Sequence, residues 1–167
     1  VVKKSLRKTI YDLKIKNIEI LNKSLRYKIN EKLMKEMIGS KVLSVSRRSK
    51  YILINLNNTF TIMVHLGMTG KIIITGADKQ KYKTSFYYNL TNNKSKHDHL
   101  ILKFNKDILL TYNDVRKFGF IKILKTKKLY SNSHLYKLGP EPLSRRFNFL
   151  YFKNNVTKRQ VCLKDLL

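Results

Sequence analysis

The sequence predicts an α+β fold, mainly β: an antiparallel β-sandwich, partly closed and barrel-like, flanked by helices at both ends. Three observations carry this. Between residues 41 and 124, short runs rich in Ile, Val, Leu and Tyr recur, bounded by Asn, Asp and Gly. Two of the breaks, "NLNNTF" at 55–60 and "FNKDI" at 104–108, are tight turns that make antiparallel hairpins of the runs beside them. Before residue 40, and again from about 131, the apolar spacing turns helical.

Leu6 and Ile10 stand four apart among cations, which predicts a short amphipathic helix over 3–12. Ile18 and Ile20 alternate with polar neighbours, a strand over 16–21. In "NEKLMKEMIG", Asn30 caps a helix whose face is Leu33, Met34 and Met37, and Gly39 ends it. Strands follow near 41–47, 50–56, 59–66, 70–75, 98–104, 107–112 and 118–124, with 76–97 a long, polar, lysine-rich loop. "SNSHLYKLG" reads as a short capped helix ending at Gly139, and "GPEPLS" as a rigid connector. A further helix is expected over 145–155 and the start of another over 157–167. Residues 1–144 are therefore expected to form one domain, and 145–167 to begin a helical connection to another. The first residue is Val rather than Met, so the chain is expected to be a piece of a longer protein.

Charge narrows the function. Lys and Arg number 36 against 10 Asp and Glu, a formal net charge of +26. An excess of this size repels itself and points to a polyanionic partner, nucleic acid first and an anionic membrane surface second. An AT-rich genome explains abundant Lys, Asn and Ile, but drift of that kind exchanges one cation for another and does not remove acids. Cys162 is the only cysteine, so this chain can form neither an intrachain disulfide nor a cysteine-cluster zinc site, as suits a reducing cytosol. No apolar run reaches the roughly 18–20 residues of a membrane span.

Several stretches carry chemistry. "SRRSKYILINL" sets Arg47, Arg48 and Lys50 at a strand-to-strand corner, close enough to meet phosphates; a solvated hairpin tip is the plainer alternative. In "YNDVRKFGFIKIL", Arg116 and Phe118 are two apart where a strand begins, hence on one side. A guanidinium beside an exposed ring can read base edges while the ring wedges between bases, although a lone Phe is more often core. "VHLGMTGK" at 64–71 crowds His65, Met68 and two glycines at the end of a buried strand, more than a simple turn needs. "KHDHLIL" holds His97, Asp98 and His99; the alternation splits the three between two faces, which favours a hydrogen-bonded loop anchor over a metal site. His134 and Cys162 read as structural, and no glycine-rich phosphate loop is present.

Taken in order, "RRSKYILINL", "HLGMTGK", "KHDHLIL", "YNDVRKFGF" and "LYKLGPEPLS" resemble the N-terminal domain of bacterial formamidopyrimidine-DNA glycosylase, of the Fpg/Nei type. The likeness runs from about residue 2 to the end. It implies a bifunctional glycosylase and abasic-site lyase of base-excision repair. Such an enzyme flips an oxidised purine (8-oxoguanine or formamidopyrimidine) out of double-stranded DNA, cuts the glycosidic bond and nicks the strand. The resemblance further implies that Met68 and Phe118 fill the vacated stack, Arg116 pairs with the orphaned cytosine, Lys50 grips a phosphate beside the flipped nucleotide, and His65 contacts another.

The departures are equally plain. The family nucleophile is an N-terminal proline followed by glutamate in "PELPEVET", whereas this chain opens "VVKKSL" and its only prolines are Pro140 and Pro142. The chain as written is expected to be inactive. No cofactor is expected in it; the one zinc ion implied for the full-length family member belongs to a C-terminal finger. A monomer in the bacterial cytoplasm, binding DNA and not membrane, is the expectation. A basic β-domain that binds nucleic acid without chemistry is the alternative, and a ribosome-associated protein a third reading that rests on charge alone.

Overall fold

The structure is a computed structural model and describes residues 1–78, 81–84 and 96–157. Two antiparallel sheets form a sandwich. The first runs β1 (Ile15–Ile20), β7 (Asp98–Phe104), β8 (Leu109–Asp114), β5 (Gly70–Thr75), β6 (Lys81–Lys83). The second runs β2 (Val42–Arg48), β3 (Tyr51–Leu56), β4 (Phe60–His65), β9 (Phe120–Lys125). The helices are α1 (Val2–Ile10), α2 (Glu31–Lys35) and α3 (Phe149–Val156).

The main core lies between the sheets. Ile72, Ile74, Leu100, Leu102, Leu110 and Tyr112 of the first meet Val45, Ile52, Ile54, Ile62, Val64 and Ile121 of the second. Leu6 and Ile10 of α1, both fully buried, join this core as the helical spacing requires. A smaller cluster on the other face of the second sheet gathers Leu53, Met63, Phe120, Leu129 and Leu135. The middle of the second sheet is thus covered on both sides, which is why "YILINL" and "FTIMVH" read as nearly continuous apolar runs rather than clean alternations.

Local signals account for the ends of the elements. The Asn30 side chain accepts from the Leu33 N–H at 3.0 Å, and Gly39, at φ +88°, turns the chain after α2. The two expected hairpins form, pairing Ile54 with Ile62 and Leu102 with Leu110.

Four expectations need correction. Residues 131–139 are turns, not a helix: the Asn132 side chain accepts from the His134 N–H at 3.1 Å, an Asx turn that competes with helix continuation. The helix expected from 145 starts at Phe149, because the cap is Asn148, which accepts from the Tyr151 N–H at 2.9 Å. Part of the stretch expected as one loop, Lys81–Lys83, is a strand paired with β5. Finally, β9 begins at Phe120 rather than 118, because its partner β4 ends at His65, the residue that pairs with Phe120. The helix expected over 157–167 and Cys162 lie, from residue 158 on, outside the described residues. No helix among the described residues is long and apolar enough to cross a membrane.

Candidate nucleic-acid interface

Both stretches singled out for DNA contact are corners where the chain leaves one sheet for the other. Residues 66–69 join β4 to β5, and residues 115–119 join β8 to β9. Strand pairing puts the corners side by side, because His65 pairs with Phe120 in one sheet and Gly70 with Asp114 in the other. They touch backbone to backbone. A Cβ on Gly67, which sits at φ +63°, would lie 2.8 Å from the Gly119 nitrogen. A Cβ on Gly119 would lie 2.0 Å from the Tyr112 hydroxyl and 2.5 Å from the His65 carbonyl. Only glycine fits at either place.

Pressed together, the corners push three side chains outward. Met68 is 74% exposed and Phe118 48%. The Arg116 guanidinium carbon stands 4.5 Å from the centre of the Phe118 ring, and Nη1 donates to the Met68 sulfur at 3.4 Å. These three, with Lys50, His65, Leu66, Gly67, Lys117 and Arg26, line an open cleft of about 870 Å³.

His65 forms the wall. Its ring stacks on Phe120 at 5.3 Å and 17°, and Nδ1 accepts from the Gly67 N–H at 3.1 Å. In the neutral ring the proton therefore sits on Nε2, which is free to donate. Burial, then the positive charge of Arg26 and Lys50, lowers its pKa below the ordinary value. Arg26 escaped the sequence reading. Its N–H donates to the Gly119 carbonyl at 3.3 Å, so the 21–29 loop rests against the second corner. The available signal was the cation–aromatic pair in "SLRYKIN", of the same kind as Arg116 and Phe118; the Arg26 guanidinium lies 5.9 Å from the Tyr27 ring.

Arg47 and Arg48 do not join this cleft. The positive φ of Ser49 (+50°) turns the hairpin, so that Lys50 lines the cleft while the two arginines reach Glu141. Arg48 Nη1 lies 3.0 Å from one carboxylate oxygen, Arg47 pairs with the other, and Arg48 also donates to the Leu138 carbonyl at 2.9 Å. The Ser49 N–H donates to Glu141 at 2.7 Å, and this bond, helped by both arginines, lowers the Glu141 pKa to about 2. Of the three cations expected to meet phosphates at one corner, Arg47 and Arg48 instead hold the connector, alongside a second cavity of about 630 Å³ that Phe147 and Tyr151 also line.

The "KHDHLIL" residues anchor β8. Asp98 accepts from the Asn113 amide at 2.7 Å, and the buried His99 donates from Nε2 to the Asp114 carbonyl at 2.7 Å. Among the described residues no three His, Cys, Asp or Glu side chains come together as a metal site. His134 accepts from Lys122 Nζ at 2.8 Å and packs on Phe120 at 4.8 Å.

Known proteins resemble this chain in both sequence and fold. The family model described as Formamidopyrimidine-DNA glycosylase N-terminal domain matches residues 1–121. Formamidopyrimidine-DNA glycosylase of Bartonella tribocorum is 36% identical over 99% of this chain and 57% of its own length. The Rickettsia canadensis protein of the same name is 34% identical over 99% of this chain and 56% of its own. The chain thus spans a little over half the length of these relatives. Lactococcus lactis Fpg, crystallised with abasic-site DNA, superposes with a TM-score of 0.77 at 31% identity, covering 94% of this chain and 54% of that one. Its complex with DNA containing N7-benzyl-Fapy-dG gives the same TM-score of 0.77. With 121 of its residues matched by the family model, the chain belongs to the formamidopyrimidine-DNA glycosylase family.

Proposed function

We propose that this chain is the lesion-probing domain of a DNA-repair glycosylase that excises oxidised purines, 8-oxoguanine and formamidopyrimidine among them, and nicks the resulting abasic site. The observation that carries the reading is the exposed set of Met68 and Phe118, each in contact with Arg116, beside Lys50 and His65. Flipping a base out costs a few kcal/mol of stacking and pairing, and the empty place must be refilled. A flexible thioether and an aromatic ring suit an irregular apolar hole. The Arg116 fork suits the O2 and N3 acceptors of a cytosine left without its partner. Lys50, the Nε2–H of His65 and Arg26 supply donors for the phosphates alongside.

In this reading residues 1–144 probe the duplex, and 145–167 begin the connection to a further domain that holds the family's zinc. The attacking amine that the family takes from an N-terminal proline has no counterpart in these 167 residues, whose prolines are Pro140 and Pro142. In this reading the chain meets DNA as a monomer.

The test uses duplexes carrying a tetrahydrofuran abasic analogue opposite cytosine or adenine, with fluorescence anisotropy as readout. Wild type should favour the gapped duplex over an intact one, and cytosine over adenine. Arg116→Ala should reduce the preference for cytosine by roughly 1–3 kcal/mol. Equal binding of gapped and intact duplex would instead mark a basic β-domain that does not probe.

A further inference from the structure

Both corners of the cleft end on one buried carboxylate. Asp114, the last residue of β8, is fully buried, and its main chain is fixed by residues 97 and 99 at the start of β7: its N–H donates to the His97 carbonyl at 3.0 Å and its carbonyl accepts from His99. Its Oδ1 accepts from the Thr69 hydroxyl at 2.5 Å, the first corner. Its Oδ2 accepts from the Gly119 N–H at 2.8 Å, the second corner. Thr69 closes the loop, since its Oγ1 also accepts from the Arg116 N–H at 3.2 Å; that N–H lies 3.3 Å from Oδ1 as well. The Tyr112 hydroxyl stands 3.4 Å from Oδ2. Among the described residues no Lys or Arg forms an ion pair with this carboxylate, despite the large excess of cations. Hydrogen-bond donors of the two corners satisfy it instead.

We propose that Asp114 and Thr69 are positioning residues that lock the 66–70 and 115–119 corners into one body, so that Met68, Arg116 and Phe118 meet DNA already assembled. Neither residue is exposed as the probing side chains are, and neither has to touch the nucleic acid. Their contribution is to remove the cost of ordering two separate loops at the moment of binding. The gap-filling consequence rests on the reading of the cleft given above; the lock itself does not.

Thr69→Val keeps the shape and removes the hydroxyl, leaving Asp114 one donor short and the Arg116 N–H with only its longer contact. Amide hydrogen exchange on the free 167-residue chain should then speed up at both 67–70 and 115–119 by about tenfold or more, as for loss of a hydrogen bond to a carboxylate. Thr69→Ser should restore the wild-type rates. Acceleration confined to 67–70, or none, overturns the lock. In the second arm, the affinity ratio of tetrahydrofuran-containing to intact duplex should fall several-fold in Thr69→Val and recover in Thr69→Ser. An unchanged ratio with both corners loosened overturns the part the lock plays in probing. A wild-type chain with no gap preference defeats the reading of the cleft, and the exchange arm alone then upholds or overturns the lock. NMR of the wild type gives an independent check, because a locked Thr69 hydroxyl proton exchanges slowly with water. A rapidly exchanging one overturns the proposal even if the valine variant fails to fold.

Discussion

Phe118 and Phe120 flank the same glycine and have opposite fates. Phe120 is 2% exposed, stacked on His65 and enclosed by Leu53, Met63, Leu129 and Leu135, while Phe118 stands out on the cleft. Truncation separates them. Phe118→Ala or Met68→Ala should move the free energy of unfolding by no more than about 0.5 kcal/mol, as at other exposed positions. Phe120→Ala should cost about 3–5 kcal/mol. Urea titration of the three variants checks this, and a Phe118→Ala as costly as Phe120→Ala would make the second corner a piece of core. The residue types were legible in "VRKFGF", and so was the suspicion that one ring is a tool. Which ring lies outside was legible only in part, because placing it needs the point where β9 begins, and that is set by the pairing of Phe120 with His65.

At the scale of elements, the β2–β3 hairpin is tied to the connector after residue 138 through one carboxylate. Glu141 receives the Ser49 N–H and both arginines. Its folded pKa of about 2 lies below the ordinary 4.5, so the stability it contributes is fully present above pH 4.5 and is lost as the pH falls from there through 2. Glu141→Gln should accordingly be less stable than wild type at neutral pH, and the gap should close as acid is added across that window. Thermal unfolding at stepped pH measures it; a gap that stays constant down to pH 2 would mean the carboxylate is not what holds the connector. The hairpin itself was readable from its turn and its β-branched runs. The destination of its arginines was not, because Glu141 lies more than 90 residues away along the chain.

For the whole molecule, the balance of charge sets how it meets DNA. With a formal charge of +26, phosphate contacts should dominate affinity. Binding to an intact duplex should then fall log-linearly with salt, by roughly 0.9 log units per decade for each phosphate neutralised. Binding insensitive to salt would remove the electrostatic argument. Local chemistry was legible in the sequence itself: the caps at Asn30 and Gly39, the hairpin turns, the alternation that makes two sheets, the cationic excess, and motifs specific enough to suggest the family. Those signals act within a few residues, where dihedral preference and side-chain period decide the outcome. Only the tertiary structure brought Met68 beside Arg116, tied Arg47 and Arg48 to Glu141, added Arg26, and set Asp114 beneath both corners. Each of these depends on which strands pair and in what register, as Gly70 with Asp114 and His65 with Phe120. Register is decided by which face of each strand is buried against the core, a sum over distant residues that no single stretch of sequence contains.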